Sequence, residues 1–410
     1  MASPIPHAPQ LSRAPPSSAS IAPLKVLEVY RGGCTGQDDV PGRFRVEHTP
    51  LPPSQLQPRP QLRLALPSKG RMAEDAQALL KDCQLGVIKP NPRQYVASIN
   101  QLPGMEVWFQ RASDVVRKVL SGDVDLGIVG ADMVAELGDG SSELVTVHES
   151  LGFGSCRLAL GVPSTPRFAG VHALADLRAL PWSPQSPLRV VSGYPALARR
   201  FFAAHAFPHV ELRSADGALE AAPAMGSADV ILDLVSSGVT LRENNLREIE
   251  GGLVLQSQGV LVANRTALLQ RPGMLPVVHE LLERLDAHLI AEGFYAVVAN
   301  MRGKSSEDVA ARISSSALLR GLQGPTVSPV FSSQPSDDEE AARARREPKF
   351  YAAQVCVAKR DLYPAVKEIR ALGGSGVLVL PIMYIFNEET PRWRRLLAEL
   401  GLRPEDVDIP

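Results

Sequence analysis

The sequence predicts an α/β protein made of two similar lobes followed by a smaller ferredoxin-like module. Three observations lead to this fold class. Apolar strands alternate with amphipathic helices through short loops early in the chain, and the same alternation begins again near residue 156. The last third contains two successive strand–helix–strand units, which is the β-α-β-β-α-β order of a ferredoxin-like domain. A chain of 410 residues is long enough for each domain to have its own core.

The first lobe is predicted from two strand–helix repeats. Each repeat begins with an apolar strand and continues with apolar residues at helical spacing. In the second repeat, Ser113 is predicted to cap the helix and Gly122 to end it. Strands and helices joined in this alternation imply a parallel sheet. The predicted elements are strands 62–66, 106–110 and 124–129, and helices 72–83 and 113–120.

The second lobe begins with PLRVVSGYPALARRFF, which predicts a strand, a Ser-Gly loop and a helix with Pro195 in its first turn. The segments HVELRS, GALEAAPAMG and ADVILDLV then predict a strand, a short helix and a strand. Apolar alternation resumes in GGLVLQSQGVLVAN before a helix over 275–291. Two α/β lobes joined by crossing strands leave a cleft between them, which is a usual place for a ligand.

The C-terminal third predicts the ferredoxin-like module. A hydrophilic, charged segment, SSQPSDDEEAARARREP (332–348), separates its two central strands and is best interpreted as an exposed loop. The predicted elements are strand 294–300, helix 305–320, strand 325–331, strand 350–358, helix 361–372 and strand 376–386.

Composition excludes several classes of function. Acidic and basic residues nearly balance, with a formal net charge of −1, so no overall field favours nucleic acid or an anionic membrane. No apolar run approaches the roughly 18 residues of a membrane span. The 4 cysteines form no CxxC pair and the 8 histidines form no HExxH motif. We therefore expect a reducing compartment and no structural metal site.

Residues 1–60 differ in composition from the rest of the chain. They are rich in Pro, Ser, Ala and Gln, and the first acidic residue is Glu28. An acid-poor, Ser-rich segment with Arg13 and Lys25 is typical of an organellar transit peptide. A disordered tail without a targeting role fits the composition equally well.

The segment DLVSSGVTLRENN carries the strongest local signal for a ligand. Asp233 lies near the end of a predicted strand, and small residues then turn the chain into a predicted helix. Successive backbone N–H groups in such a turn form an anion-binding nest, to which the helix dipole adds, and Gly238 permits close approach. Asp233 can meanwhile accept hydrogen bonds from sugar hydroxyls. A purely structural turn has about equal weight for this segment alone. The predicted nest consists of Ser236, Ser237, Gly238, Val239 and Thr240.

Other candidates follow predicted strands, where open α/β sheets bind ligands. Lys69 and Arg71 lie in a glycine-containing strand-to-helix loop, where they could neutralise a pyrophosphate. Arg111 follows an apolar strand directly, and Asp132 follows the strand-end loop GIVGAD. Glu220 in GALEAAP is a weaker candidate. Taken singly, such residues are more often members of structural ion pairs than of a site.

Cys156, followed by Arg157 in GFGSCRL, invites a nucleophilic interpretation. No His or Asn partner can be assigned to it from the sequence. A buried thiol is therefore several times more common at such a position than a catalytic one.

Taken together, these stretches resemble ATP phosphoribosyltransferase of the long form, which carries a C-terminal regulatory domain. The matching motifs cover most of 61–410 in order, and they include LALPSKGRM, NPRQYV, GFGSCRL, ADVILDLVSSGVTLRENN and GLQGPTVSPVF. The run PSKGRMAEDAQALLKDCQL and the ending PRWRRLLAELGL look most like plant and algal versions. The resemblance therefore favours a plastid transit peptide at the N-terminus and a location in the chloroplast stroma.

The resemblance implies two periplasmic-binding-protein-like lobes with the active site in the cleft, and a third domain that binds histidine. It implies that 233–241 holds the 5-phosphate of phosphoribosyl pyrophosphate (PRPP), with Asp233 and Glu220 facing the ribose hydroxyls. Lys69, Arg71 and Arg111 would face phosphates, and Asp132 would belong to the nucleotide pocket. The implied domains are 1–60 (transit peptide), 61–155 with 253–291 (first lobe), 156–252 (second lobe), 292–390 (regulatory) and 391–410 (extension).

The reaction that the resemblance implies is attack by an adenine ring nitrogen of ATP on PRPP, with release of pyrophosphate, as the first step of histidine biosynthesis. Such a displacement depends on aligning two polyanions and not on a protein nucleophile. Mg²⁺ would arrive with PRPP, and a dedicated metal cage is not expected. Histidine would inhibit as an allosteric effector, and dimers would associate into hexamers. Departures from the family pattern are the insert 332–348 and Val239 in the phosphate loop.

Two alternatives from other classes stay open at this stage. A two-lobed solute-binding protein would share the fold without catalysis. A salvage phosphoribosyltransferase acting on a free base would share the local sequence DLVSSGVTL. Activity with ATP as against free purine bases distinguishes these possibilities.

Overall fold

The structure is a computed structural model that describes residues 58–138, 140–215, 217–331 and 349–409. The predicted transit peptide (1–57 of it) and the insert 332–348 lie outside the described residues. Within them the strands form three sheets, two in the lobes and one in the C-terminal module. The predicted mixed α/β class is confirmed. None of the described helices combines the length and apolarity that crossing a bilayer requires.

The first lobe contains the sheet β2-β3-β4-β1-β5-β12-β6. Its central strands β4, β1 and β5 are parallel, as predicted, whereas β12 runs antiparallel to β5 and β6 because it enters from the other lobe. Its strands are β1 (Leu62–Pro67), β2 (Val87–Ile88), β3 (Val96–Ile99), β4 (Met105–Gln110), β5 (Leu126–Gly130), β6 (Leu144–His148) and β12 (Gly259–Asn264). Its helices are α1 (Arg71–Asp82), α2 (Ala112–Leu120), α3 (Ala131–Leu137), α7 (Arg265–Gln270) and α8 (Met274–Ala291).

The second lobe contains the sheet β11-β7-β10-β8-β9, in which β10, β8 and β9 are parallel. The strand β7 is antiparallel to both of its neighbours, which are β10 and β11. Its strands are β7 (Cys156–Pro163), β8 (Leu188–Ser192), β9 (Val210–Ser214), β10 (Val230–Val235) and β11 (Leu246–Ser257). Its helices are α4 (Leu174–Ala179), α5 (Pro195–Ala204) and α6 (Val239–Glu243).

The chain crosses between the lobes twice, after β6 and between β11 and β12. Gln258 alone separates β11 from β12, and β11 remains in the sheet of the second lobe until Ser257. The boundary drawn between 252 and 253 from the sequence therefore falls inside a strand, because GGLVLQS and GVLVAN form one continuous apolar alternation. The crossing segments are tied together, since the N–H of Leu151 donates to the carbonyl of Gly259 at 2.9 Å.

The C-terminal module has the sheet order β14-β15-β13-β16, with all neighbouring strands antiparallel. This is the predicted ferredoxin-like arrangement. The predicted helix 305–320 is shorter than expected, since it ends at Ser314, where three consecutive serines compete with the helical backbone for hydrogen bonds. The elements are β13 (Phe294–Arg302), α9 (Ser306–Ser314), β14 (Thr326–Val330), β15 (Phe350–Ala358), α10 (Leu362–Ala371) and β16 (Gly374–Pro381).

The last helix, α11 (Pro391–Leu400), returns to the first lobe. Trp393, Leu396, Leu397 and Leu400 belong to the same core as β1, β4 and α8. These residues recur at helical spacing, so one face of α11 completes the first lobe's core. The C-terminal module is therefore connected to the first lobe at both of its ends.

Candidate active site

The first lobe presents a cationic loop at the carboxyl edge of its sheet. Pro67 pairs with Gln110 across the parallel strands β1 and β4, so the residues that follow both strands share this edge. Lys69 and Arg71 are exposed, and neither side chain has a hydrogen-bonding or ionic partner in the described part of the chain. Gly70 between them adopts φ 76° and ψ −178°, a conformation that is essentially restricted to glycine. Two unpaired cations at a helix N-terminus oppose the helix dipole, so the loop is suited to an anionic ligand.

Arg111 lies beside this loop at the end of β4. The carbonyl of the preceding residue, Gln110, accepts a 2.7 Å hydrogen bond from the N–H of Ser68, which ties the two loops together. Arg111, and not the predicted Ser113, is the N-cap residue of α2, with φ −68° and ψ 152°. Its side chain is exposed and has no partner among the described residues. Three predicted cations are thus gathered at one sheet edge.

The predicted phosphate loop lies at the corresponding edge of the second lobe, after β10. Gly238 adopts the left-handed conformation, with φ 71° and ψ 8°, and begins helix α6. The backbone N–H groups of Ser236, Ser237 and Gly238 have no acceptor within the described residues. Because α6 has only five residues, its dipole adds little. The capacity of this loop for an anion therefore depends on these N–H groups and on the hydroxyls of Ser236, Ser237 and Thr240, which are exposed.

An ion pair that the sequence did not reveal supports this loop from below. Arg157 donates to the carbonyl of Ser236 at 3.0 Å, and it forms a bidentate pair with Glu248 at 2.7 and 2.5 Å. Arg242 contacts the carbonyl of Ser237 at 3.5 Å and lies 3.2 Å from the position that a Cβ on Gly238 would occupy. The signal available in the sequence was the arginine in GSCRL, but its partner lies 91 residues away along the chain.

Asp233 and Glu220 form an acidic pair next to the phosphate loop. Burial raises the pKa of Asp233, and the nearby charge of Glu220 raises it further, while the N–H of Leu234 acts in the opposite direction. That N–H donates to Asp233 Oδ1 at 2.7 Å. Glu220 lies in a short 3-10 turn, Leu219–Ala221, in place of the predicted short helix. This 3-10 turn follows Ala218, whose positive φ of 52° does not continue a helix.

Asp132 is located differently from the other candidates, because its carboxylate is only 4% exposed. Tyr194 Oη donates to one of its oxygens at 2.7 Å, and Ser257 Oγ donates to the other at 2.5 Å. Its partners come from α5 in the second lobe and from the end of the crossing strand β11. The side chain of Asp132 therefore joins the two lobes at the base of the cleft.

Cys156 lies near this cluster, at the start of β7. Burial raises the pKa of its thiol, and the nearby Asp132 raises it further, so the neutral thiol predominates. A neutral thiol in such surroundings is a poor nucleophile. Groups of three or more His, Cys, Asp or Glu side chains that could hold a metal ion are absent from the described residues.

Comparison with known proteins identifies the family. A family model described as ATP phosphoribosyltransferase matches residues 111–287, and a HisG C-terminal domain model matches residues 291–384. The chain is 56% identical over 349 residues to ATP phosphoribosyltransferase 2, chloroplastic, of Arabidopsis thaliana, covering 84% of this chain and 82% of that protein. The chain belongs to the ATP phosphoribosyltransferase family. It is therefore a glycosyltransferase-type enzyme of histidine biosynthesis, and the predicted recognition and function are confirmed.

Bacterial relatives extend the comparison. The enzyme is 35% identical over 325 residues to ATP phosphoribosyltransferase of Gemmatimonas aurantiaca, covering 78% of this chain and 98% of that protein. A chain from the ATP phosphoribosyl transferase (HisG:HisZ) complex of Thermotoga maritima matches with a TM-score of 0.43 and 21% identity, covering 55% of this chain and 98% of that one. The Arabidopsis relatives, at 55–56% identity, are chloroplastic, in agreement with the predicted chloroplast location of this enzyme.

Proposed function

We propose that the loop after β10 binds the 5-phosphate of PRPP and that the acidic pair beside it receives the ribose hydroxyls. The single observation that carries this assignment is the run of unpaired N–H groups at Ser236, Ser237 and Gly238 next to the half-buried carboxylate of Asp233. A phosphorylated sugar has an anionic phosphate, which such N–H groups can bind, and vicinal hydroxyls, which can donate hydrogen bonds to a carboxylate. The proposed PRPP site comprises Glu220, Asp233, Ser236, Ser237, Gly238, Val239 and Thr240, and Val239 contributes only its backbone N–H.

The first lobe then supplies positive charge for pyrophosphate and the phosphates of ATP. Lys69, Arg71 and Arg111 are exposed and lack partners among the described residues, so binding a polyanion does not require breaking an existing ion pair. Asp132 contributes to the nucleotide pocket by shaping its base, since both of its carboxylate oxygens already accept hydrogen bonds. ATP and PRPP would meet between these two sheet edges.

The reaction that this arrangement supports is displacement of pyrophosphate from PRPP by an adenine ring nitrogen of ATP. The protein's part is alignment and charge stabilisation, and we assign no nucleophile or acid–base residue. The family is generally metal-dependent, and we propose that the metal is Mg²⁺ that arrives with PRPP. Asp233 and Glu220 fit this ion chemically, because carboxylate oxygens are hard ligands of the kind that Mg²⁺ prefers.

We further propose that 292–390 is a regulatory domain that binds histidine. A cavity of about 450 Å³ in this domain is bordered by Gln323, Thr326, Gln354 and Asn387, whose amides and hydroxyl suit an amino-acid ligand. The exposed apolar side chains of β16, among them Leu378 (60%) and Leu380 (49%), support assembly into dimers and hexamers. Histidine can inhibit only by favouring a less active state.

Pyrophosphate release by the purified protein tests this assignment. The protein is given PRPP and Mg²⁺ with ATP, or with free purine bases in place of ATP, and each reaction is repeated with histidine. We expect turnover that requires ATP and falls when histidine is added. Turnover with free bases would favour the salvage enzyme, and ligand binding without turnover would favour the solute-binding protein.

A further inference from the structure

Helix α3 follows a strand of the first lobe and packs against both lobes. Val134 and Leu137 of this helix pack against a hydrophobic cluster of the first lobe. Met133 and Ala135 contact the hydrophobic core of the second lobe. Arg200 of α5 donates to the carbonyl of Ala135. A single helix therefore lies between the two lobes and contacts both.

Glu136 makes the most specific of these contacts. Its carboxylate is 6% exposed and accepts hydrogen bonds from the backbone N–H groups of Ala196 and Leu197, both at 2.8 Å. Ala196 and Leu197 lie in the first turn of α5, where the N-cap residue Tyr194 provides no side-chain cap. A carboxylate from the first lobe thus caps a ten-residue helix of the second lobe, where the helix dipole also favours negative charge.

The start of α5 is in turn connected to the acidic pair of the PRPP site. The N–H of Tyr194 donates to Ser192 Oγ at 2.9 Å, and that hydroxyl donates to the carbonyl of Leu232 at 2.7 Å. Leu232 immediately precedes Asp233 in β10. Tyr194 Oη also reaches Asp132 at 2.7 Å in the first lobe. Hydrogen bonds and the backbone of 194–197 therefore connect Glu136 to Leu232, the neighbour of the residue proposed to hold the ribose.

We propose that Glu136 is a positioning residue that fixes the second lobe relative to the first through the N-terminus of α5. It sets the location of Asp233 and the phosphate loop relative to the cations of the first lobe, without contacting either substrate. This inference rests on the proposed function for the roles of those groups. A displacement between two polyanionic substrates needs such a fixed spacing, because a misplacement of about 1 Å can cost on the order of 100-fold in rate.

The substitution Glu136→Gln tests the role with almost no change in volume. The amide offers one N–H donor to a backbone N–H, so one of the two hydrogen bonds becomes a donor–donor contact. We expect kcat to fall by about 10- to 100-fold. The dissociation constant of ribose 5-phosphate, measured by calorimetry without ATP, should change by less than about 3-fold, because the phosphate loop and the acidic pair both lie in the second lobe.

The second lobe offers a matched control in Asp176→Asn. Asp176 accepts hydrogen bonds from the backbone N–H groups of His172 and Ala173, both at 2.9 Å, and so caps α4 within a single lobe. Each substitution neutralises a carboxylate that accepts two backbone hydrogen bonds, but only Glu136 joins the lobes. Both N–H groups at Asp176 donate to the same oxygen, Oδ2, whereas those at Glu136 donate to different oxygens. We expect Asp176→Asn to retain the wild-type kcat to within about 2-fold.

The outcomes separate positioning from folding. Loss of kcat in Glu136→Gln with ribose 5-phosphate affinity kept, and with Asp176→Asn unaffected, supports the inference. An unchanged kcat, a parallel loss of ribose 5-phosphate affinity, or an equal loss in Asp176→Asn overturns it. If Glu136→Gln does not fold, Tyr194→Phe breaks only the bond to Asp132, and an unchanged kcat in that variant overturns the inference. Wild-type turnover is measured first, so failure of the proposed function is seen before any variant is compared.

Discussion

Charged side chains in the loops that border the cleft differ in exposure and pairing from those in the frame, by which we mean the packed part of the protein behind these loops. At the edge, Lys69, Arg71 and Arg111 are exposed and have no partner among the described residues. In the frame, carboxylates are largely buried, and each accepts two or more hydrogen bonds. We call this second set the frame carboxylates: Asp125, Asp132, Glu136 and Glu149.

Asp125 illustrates the frame. It is fully buried at the base of β5, and it accepts hydrogen bonds from Arg59 and from the N–H of Arg63, both at 2.8 Å. Arg271 forms a further ion pair with it at 2.5 Å. Arg59 lies within the segment 1–60 that composition assigned to a transit peptide or tail, so a residue of that segment contacts the core of the first lobe. A buried charge is tolerable only with such a complete set of partners.

This difference indicates what each set does. A charge whose partners are all supplied by the protein has little left to offer a ligand, and its loss leaves those partners buried and unpaired. A charge without partners costs little to keep in water and is available to a substrate. Changes at the loop edge should therefore alter turnover and leave stability intact. Changes in the frame should alter stability first, except at Glu136, where we propose that the carboxylate also fixes one lobe relative to the other.

The largest effect on turnover is expected from Gly238→Asp. The new carboxylate would bring a negative charge next to the N–H groups proposed to bind the phosphate, and like charges repel, so turnover should fall below about 0.1% of wild type. The thermal midpoint should shift by only a few degrees, since about 1 kcal/mol corresponds to a shift of roughly 2–4 °C in a protein of this size. Pyrophosphate release and calorimetric PRPP binding measure the first effect, and scanning calorimetry measures the second.

Gly238→Asn is the control for this substitution. Asparagine has the same shape as aspartate and tolerates the left-handed conformation of residue 238, where φ is 71°, but it carries no charge. We expect it to retain turnover to within about 10-fold of wild type. A Gly238→Asp enzyme that keeps its PRPP affinity would contradict the assignment of this loop.

A smaller effect, on stability, is expected where α11 meets the frame. Burial alone would raise the pKa of Glu149, but hydrogen bonds from Arg392 and Arg395 lower it to about 2. Because an unfolded glutamate titrates near about 4.3, this pairing stabilises the fold above that pH, and the stabilisation is lost as the pH falls toward about 2. Arg392→Gln removes this pairing together with the ion pair between Arg392 and Asp286 at 2.5 Å. It should lower the free energy of unfolding by about 2–3 kcal/mol at neutral pH and flatten its dependence on acid.

Urea unfolding followed through tryptophan fluorescence measures this difference, since Trp393 of α11 is 1% exposed. The control is Arg360→Gln, because Arg360 is exposed and its pairing with Asp361 at 3.5 Å is worth little. Equal losses in the two variants, or an unchanged acid slope in Arg392→Gln, would show that the pairing at Glu149 does not carry this stability.

The sequence revealed the loop edges better than the frame, for a physical reason. A strand that ends in Ser-Ser-Gly, or in Pro-Ser-Lys-Gly-Arg, is a local pattern whose consequences lie within a few residues. The positions of Lys69 and Gly238 in strand-to-helix turns, and the ferredoxin-like strand order, could therefore be predicted. The sequence also predicted that a helix dipole would strengthen anion binding at the phosphate loop. In the structure this contribution is small, because α6 has only five residues.

The frame depends on partners that are far apart in the sequence. Glu136 contacts residues 60 and 61 positions away, and Glu149 contacts Arg392 at a separation of 243. The apolar spacing of Trp393, Leu396 and Leu400 predicts an amphipathic helix, but periodicity does not specify which core that helix covers. Such pairings follow from how the domains pack, which a single sequence does not encode in any local pattern.

The smallest effect is expected at Cys156, which lies between the two regions without belonging to either. Its raised pKa leaves a neutral thiol, and the proposed reaction requires no protein nucleophile. Cys156→Ala should therefore keep kcat to within about 2-fold of wild type.

Cys83→Ala is the matched control: Cys83 is fully buried in the first lobe's core, and burial raises the pKa of its thiol to about 12. Cys83→Ala should lower the free energy of unfolding by about 1–2 kcal/mol with kcat unchanged. Complete loss of turnover in a folded Cys156→Ala enzyme would show that this thiol takes part in the chemistry. Cys156 would then belong with the loop-edge residues that act on the substrates.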